Sequence, residues 1–195
     1  MKLPIALSAI LTITSLANAQ DVTFKGKVED VSGTAGQFVV DCTSVDLSST
    51  AFNLNLFVGQ QVEIQGTWNG SVANPAVVVN AIQSVPESFE LGGGGKIGDV
   101  AQPTVTAAPG SLAFTFASLS TSFLPLGSAG VGFLGGNPFK TGSGTVGGAG
   151  ILELNVPIPN DPSLIGVTVY GQAIVVDPGT GAFEFTNPDC KELKG

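Results

Sequence analysis

The sequence predicts an all-β protein in which a small β-barrel is followed by a β-sandwich-like domain. Apolar and polar residues alternate with period two in most of the structured runs, which is the pattern of half-buried strands. Glycine accounts for 27 of the 195 residues, and turn dipeptides such as Asn69-Gly70 separate the runs. Helix signals extend over single turns only. These three observations place the chain in the all-β class.

Residues 1–19 have the features of a signal peptide. Lys2 provides the positive start, an apolar run follows it, and Ala17-Asn18-Ala19 fits a small-residue cleavage site. The apolar run is short for a membrane span, and no cysteine directly follows the cleavage site to carry a lipid anchor. We therefore expect a secreted or periplasmic protein whose mature chain begins at Gln20.

Residues 20–89 predict the barrel. The alternation indicates strands over residues 22–31, 37–42, 45–47, 60–68 and 75–85, and the irregular stretch 48–56 has room for one helical turn. This spacing, together with Gly26, Gly59 and Gly66, resembles a small OB-type barrel. An SH3-like barrel or a small sandwich would give a similar pattern, and both remain alternatives.

Residues 90–98 predict a glycine-rich linker, because Gly92 to Gly95 are four consecutive glycines. A phosphate-binding loop is excluded at this place. That motif needs glycine where Glu90 stands, and serine or threonine after the lysine, where Ile97 stands. The stretch is therefore expected to join two domains.

Residues 99–195 predict the β-sandwich-like domain. Strands are expected over residues 104–108 and 112–119 around a Pro109-Gly110 turn, whereas residues 139–150 are expected to form a loop. Residues 151–158 alternate as a half-buried strand. Asp161 as N-cap and Pro162 after it predict one helical turn. Residues 167–176 and 182–186 then predict a β-hairpin with a five-residue loop.

Several short segments of the predicted second domain together form a recognisable pattern. They are PGSLAFTFASL, then GSG, then IPNDPSLIGVTVYGQA, and a closing Thr-Asn pair at 186–187. This set resembles a C-terminal β module that recurs in secreted bacterial proteins. The module has no assigned activity, so the resemblance implies a β fold and export rather than a reaction.

Composition excludes several classes of function. The chain has 7 basic residues, all of them lysine, against 15 acidic residues, and its net charge is −8. An acidic chain without arginine is a poor partner for nucleic acids or anionic membranes, and neither is expected to bind. Because histidine is absent, Ser-His-Asp and Cys-His catalysis and histidine-ligated zinc are excluded. We expect no cofactor and no metal.

Carboxylates are the remaining candidates for chemistry. Glu153 and Glu184 are expected on the solvent faces of two strands, where a glycosidase would need a pair at a set separation. Asp161, Asp177 and Asp189 carry oxygens of the kind that calcium prefers. Solvated strand carboxylates and turn aspartates are nevertheless the ordinary case, and we expect no enzyme activity.

Two aromatic residues are the candidate ligand-binding positions. Exposed aromatic side chains on β-surfaces often bind sugar rings or peptides. Trp68 stands next to the Asn69-Gly70 turn, near a strand end where ligand-binding loops gather, and Tyr170 lies in the longest strand of the second domain. The alternative for Trp68 is a place in the core or at its rim.

Cys42 and Cys190 predict a disulfide. They are the two cysteines of the chain, and export would bring them into an oxidising compartment. The opposing argument is that they lie in different predicted domains, where their Cα atoms can be too far apart for a bridge.

Between Val100 and Leu152 the single charged residue is Lys140. Period-two alternation and Pro125 argue against a membrane-spanning helix in this stretch. A surface with so little charge favours association, so we expect residues 112–136 to contact a partner or a second copy.

The sequence thus predicts an exported non-catalytic module that binds or assembles with an extracellular protein or carbohydrate. The alternative is a carboxylate-dependent hydrolase acting on an extracellular polysaccharide.

Overall fold

A computed structural model describes residues 19–31 and 36–195, which form sixteen strands and three short 3₁₀ turns. The predicted all-β class is confirmed. The predicted signal peptide lies, except for Ala19, outside the described residues. Within the described part of the chain, no helix is long and apolar enough to cross a membrane.

The first five strands close into a barrel in the order β1-β2-β3-β5-β4. Strands β3 and β5 run parallel, whereas the other neighbours in the barrel are antiparallel. Inward positions are buried along each strand, as the alternation predicted. The strands are β1 (Gln20–Asp30), β2 (Phe38–Val40), β3 (Asp46–Ser48), β4 (Gln61–Trp68) and β5 (Ala76–Ser84).

Two glycines keep the barrel narrow. A Cβ atom at Gly26 would lie 2.5 Å from Cγ1 of Val40, and one at Gly66 would lie 2.5 Å from Cγ1 of Val77. Both distances are far inside van der Waals contact, so any larger residue would push the opposite wall outward. The barrel interior is filled mainly by valine and phenylalanine side chains, together with Leu47, Leu54, Ile64 and Trp68.

The two ends of the barrel are closed by different parts of the chain. At the Val28 end, the 3₁₀ turn Leu54–Phe57 buries Leu54. The opposite end is covered by a hairpin of the second half, β9 (Thr121–Pro125) and β10 (Val131–Leu134). Phe123 and Phe133 of this hairpin pack edge-on against Phe24, with ring centroids 5.9 and 5.5 Å apart. The barrel core is thus completed from outside the predicted barrel domain.

The remaining strands form two sheets that face each other. One has the order β11-β8-β14-β15, with β16 also paired to β14, and the other places β7 between β6 and the β12–β13 pair. The first sheet contains β8 (Leu112–Ser118), β11 (Phe139–Thr145), β14 (Thr168–Val176), β15 (Phe183–Phe185) and β16 (Asp189–Glu192). The second contains β6 (Phe89–Gly92), β7 (Val100–Thr106), β12 (Ile151–Glu153) and β13 (Val156–Pro157).

The expected loop over residues 139–150 is wrong in its first half, which forms strand β11 paired with β8. The sequence of β11 lacks the alternation of apolar residues because glycines take the inward positions. A Cβ at Gly142 would lie 2.7 Å from Leu154, and one at Gly144 would lie 2.9 Å from Leu152. Leucines of the facing sheet fill the space that the glycines leave.

The predicted linker has defined structure along its length. Residues 89–92 pair with β7 as strand β6, and Lys96 forms an isolated bridge with Lys194 near the C-terminus. The Lys194 N–H donates to the Gly95 carbonyl at 2.9 Å. Glycine is needed at position 93, where φ is +87° and a Cβ would lie 2.8 Å from the Val100 carbonyl oxygen. The glycine run therefore serves close backbone packing.

Candidate functional site

A cavity of about 350 Å³ opens between the two sheets of the second half. It lies where β7 begins and β8 ends, so Ala101 and Pro103 line one wall and Ala117 lines the other. Val156 and Ile158 lie along one side, at and just beyond β13. The other end of the same sandwich is filled by a compact cluster around Phe89, Val105 and Val175. The cavity is thus the unfilled half of the sandwich interior.

Small side chains explain why this half stays open. Where β11 faces β12, glycine is matched by leucine and the space is filled. Where the end of β8 faces the start of β7, small residues line the cavity: Ala117, Ala101 and Pro103. The larger lining residues, such as Leu91 and Phe139, belong to the neighbouring strands β6 and β11. The cavity is open to solvent on one side, and open clefts lined by apolar side chains are the usual form of small-molecule sites.

Exposed apolar side chains surround the entrance. Leu119 is 60% exposed and Phe139 is 52% exposed, and both contribute to the lining. Half-buried Leu164 also lines the cavity. Scattered apolar residues on a surface are normal, but a group of them at the mouth of an apolar cavity is typical of binding sites.

Lys191 is the one charged residue among the described residues that line the cavity. Its aliphatic stem packs along Gly95, where a Cβ would lie 2.7 Å from the lysine Cδ. Its Nζ donates to the Leu91 carbonyl at 2.9 Å and also to the Gly93 carbonyl. The stem therefore belongs to the apolar wall, and the ammonium lies at its edge.

Buried polar side chains hold the β6 wall of the cavity in place. The Asn187 Oδ1 atom accepts from the N–H groups of Ser88 and Phe89 at 2.9 and 3.0 Å, and its Nδ2 donates to the Phe89 carbonyl at 2.7 Å. Asp189 Oδ2 accepts from the Leu91 N–H at 2.6 Å. These charge-assisted and amide bonds fix β6 onto β16, so this wall is formed before any ligand arrives.

The outer face of β14 is tied to the barrel hairpin by Gln172. Its Nε2 donates to the carbonyls of Val131 and Thr186, and its Oε1 accepts from the Phe133 N–H at 2.8 Å. Gln172 is almost completely buried, so all three bonds are shielded from water. One side chain thereby joins the β9–β10 hairpin, which covers one end of the barrel, to the sandwich sheet.

The predicted disulfide between Cys42 and Cys190 is present, and their Cα atoms are 5.4 Å apart. The two residues are close because β16 runs past the turn between β2 and β3. A second cavity of about 330 Å³ lies beside this bond. Glu29 and Asp41 line it, and the Lys27 ammonium bridges the two carboxylates at 3.1 and 3.2 Å.

The two predicted ligand-binding aromatics lie in different places. Trp68 belongs to the barrel core: it is 9% exposed, its ring centroid is 5.4 Å from that of Phe123, and its Nε1 donates to the Ser71 carbonyl. Tyr170 is half-buried and lines the second cavity beside the disulfide. The structure does not bring them together into one site, and neither lines the apolar cavity.

The two candidate catalytic carboxylates lie in different sheets. Glu153 is exposed on β12, whereas Glu184 is on β15 and forms a salt bridge with Lys25 of the barrel at 3.2 Å. Nothing in their placement forms the matched pair that glycoside hydrolysis uses.

The three candidate calcium ligands each serve the local backbone. Asp161 Oδ1 accepts from the Ser163 N–H and Asp177 Oδ1 accepts from the Gly179 N–H, and these bonds lower the pKa of both carboxyl groups. Asp189 holds β6, as described above. In the described part of the chain, the one cluster with metal-ligand spacing contains Asp41 and the two cysteines, whose sulfurs are already bonded to each other.

Sequence reasoning missed the apolar cavity and Lys191. No sequence motif predicts such a cavity, because it depends on how the two sheets face each other and on lining residues from several strands, from Leu91 on β6 to Lys191 on β16. A partial signal was available: Ala113, Thr115 and Ala117 alternate with Phe114 and Phe116, and the structure directs the small set inward. Alanine and threonine side chains are short, so an inward strand face made of them leaves space inside a sandwich.

Comparison with known proteins adds no relative. No protein-family model matches the chain, and neither a curated protein nor a solved structure matches it. The candidate site is therefore judged by its geometry alone.

Proposed function

We propose that this chain is an exported, non-catalytic binding protein that takes an apolar ligand into the cavity between its two sheets. The cavity itself carries the proposal: its volume of about 350 Å³ falls within the range of about 300–1,000 Å³ that small-molecule sites occupy. Apolar side chains provide most of its lining, and exposed Leu119 and Phe139 flank the opening.

Two observations support export. The disulfide between Cys42 and Cys190 is a bond that forms and persists in oxidising compartments. Strand β1 begins at Gln20, so cleavage after Ala19 would leave the barrel intact. An extracellular or periplasmic location is consistent with both observations and with the signal-peptide features of residues 1–19.

The barrel is proposed to be of the OB type. Its strand order, the parallel β3–β5 pair and the short turn between β3 and β4 support this assignment. In this protein, the hairpin of residues 121–134 covers one barrel end. We therefore assign ligand binding to the sandwich cavity rather than to the barrel.

The test is to fill the cavity and measure binding of a neutral apolar probe, N-phenyl-1-naphthylamine, by its fluorescence. Ala101→Leu places a larger side chain in the cavity wall, and we expect it to weaken probe binding by at least about tenfold. Ala73→Leu makes the same chemical change in an exposed barrel loop and should leave affinity unchanged. Equal binding by all three proteins, or no binding by the unmodified protein, would refute the proposed function.

A further inference from the structure

We infer that the ligand of this cavity is a single-chain anionic amphiphile, an alkyl carboxylate whose tail occupies the apolar space and whose head group meets the Lys191 ammonium. The inference rests on the proposed function and adds the chemical class of the ligand. It follows from the distribution of charge around the cavity.

Lys191 has hydrogen-bond partners but no anionic partner. The three salt bridges formed by the described residues use Lys25 and Lys27 only. An ammonium group has three N–H donors, and two of those on Lys191 go to the backbone carbonyls of Leu91 and Gly93. No described residue accepts the third, which leaves one donor and a full positive charge for a ligand.

The apolar surroundings of Lys191 favour an anionic head group over a neutral or a cationic one. Lys191 is half-buried against the apolar wall, so an anion at the edge of the cavity attracts its charge through surroundings less polar than bulk water. A carboxylate head group supplies that counter-ion and accepts the free N–H. A neutral head group offers only a hydrogen bond, and a cationic head group would be repelled.

The acidic side chains next to Lys191 on β16 are directed elsewhere or already bonded. Glu192 is the next residue along the strand, and alternation directs it to the opposite face from Lys191. Asp189 is two positions away, but its carboxylate accepts from the Leu91 N–H at 2.6 Å and from the Cys190 N–H at 2.8 Å. It takes part in none of the three salt bridges of the described residues.

The depth of the cavity sets the dependence on tail length. Each methylene transferred from water into the cavity adds about fourfold to affinity. We expect this increment to hold for short tails and to disappear once the space of about 350 Å³ is full. A surface-bound detergent would show no such limit.

The experiment compares three ligands that share a twelve-carbon tail: dodecanoate, dodecanol and dodecyltrimethylammonium. Each displaces N-phenyl-1-naphthylamine from the full chain at concentrations below micelle formation. We expect dodecanoate to bind at least about tenfold more tightly than dodecanol, and the ammonium compound to bind more weakly than both. Lys191→Met keeps the apolar stem and should abolish the preference for the anion while retaining dodecanol binding.

Lys140→Met is the matched control. Lys140 neighbours the lining residues Phe139 and Thr141, but its ammonium lies 5.2 Å from the centre of the Phe114 ring on the outer face. This variant should keep the preference for dodecanoate. Equal affinity for dodecanoate and dodecanol, or a preference that survives Lys191→Met, would overturn the inference and leave the proposed function intact.

Failure of all three ligands and of the probe to bind would overturn both proposals. If Lys191→Met does not fold, ionic strength decides the question in the unmodified protein. Raising the salt concentration should then weaken dodecanoate binding and leave dodecanol binding unchanged. A salt response that is the same for both ligands would overturn the inference.

Discussion

The barrel core and the sandwich core differ in how completely they are filled. In the barrel, Phe24, Phe123 and Phe133 form edge-to-face contacts at three places, and these rings are almost fully buried. In the sandwich, a small cluster of valine, alanine and phenylalanine fills one end, and the other end is the cavity. On the proposed function, the filled barrel would provide stability and the open end of the sandwich would provide the binding space.

The largest expected effect is on the barrel side of this comparison. Phe133→Ala removes a ring that is 0% exposed from the centre of the aromatic cluster. Burial lost together with the cavity created should lower the free energy of unfolding by about 3–5 kcal/mol. Chemical denaturation followed by intrinsic fluorescence measures the change.

Phe139→Ala is the matched control, because it makes the same substitution at the mouth of the sandwich cavity. Phe139 is 52% exposed, so we expect a loss below about 1 kcal/mol. Similar losses for both variants would mean that the two cores do not differ in the way proposed.

Removal of the disulfide tests whether the barrel and the sandwich unfold as one cooperative unit. It joins residues separated by 148 positions in the sequence, and replacing both Cys42 and Cys190 by alanine should cost about 2–4 kcal/mol. Since Gln172 and the β9–β10 hairpin also join the halves, we expect the variant to unfold in a single transition at lower denaturant concentration. Reductant should shift the unmodified protein by the same amount and leave the variant unchanged. Two separate transitions would contradict this coupling.

The smallest expected effect on stability concerns Glu87, which lies between the last barrel strand, β5, and the first sandwich strand, β6. Glu87 is an exposed residue, but desolvation by the protein around its carboxyl group, reinforced by the charges of Asp189 and Glu90, raises its pKa. Because the folded state binds this proton more tightly, stability falls as pH rises above the ordinary carboxyl range. Glu87→Gln should therefore raise the free energy of unfolding by less than about 1 kcal/mol at neutral pH.

This gain from Glu87→Gln should vanish below about pH 4, where the unmodified side chain is protonated in both states. Denaturation curves at several pH values measure it. Glu153→Gln, at an exposed position on β12, is the control and should show no such dependence. A gain for Glu87→Gln that is the same at every pH would show that charge is not its cause.

Much of the fold could be predicted because strand alternation and turn chemistry are local. The barrel strands, the single turn capped by Asp161 and the β14–β15 hairpin lie close to their expected positions. Strand β11 was not predicted, because its inward residues are glycines, and the side chains that fill the space next to them, Leu152 and Leu154, come from the facing sheet. The glycines at 92–95 resembled a linker because runs of glycine are common in flexible segments. In the structure, Gly92 and Gly93 pack against the backbone of β7, and Gly95 packs against Lys191.

The candidate site depended on contacts that sequence patterns do not contain. The disulfide could be predicted because the chain has a single pair of cysteines. Trp68 lies in the barrel core, which was the alternative to a ligand-binding position. The sequence could not decide between the two, because its neighbour Phe123 comes from the other half of the chain. The likeness to the recurrent C-terminal module stays a prediction. Gln172 and Asn187, both within its motifs, are buried residues that hold the fold.

The association surface expected over residues 112–136 is smaller than the stretch with no charge. Phe123, Val131 and Phe133 are buried in the barrel core, so part of the apolar surface is used within the chain. Leu119, Leu124 and Leu126 remain exposed. Self-association through these residues stays a prediction.

The hairpin of residues 121–134 also determines when a newly synthesised chain can complete its barrel. Because synthesis proceeds from the N-terminus, all five barrel strands have emerged once Ser84 is out, whereas Phe123 and Phe133 are still to follow. The barrel then waits with one apolar end facing water, and contacts so distant in sequence form slowly. Such intermediates are prone to aggregate or to be captured by chaperones. A translation product that ends before the hairpin would therefore remain in this vulnerable state, and complete synthesis is a condition for a finished barrel.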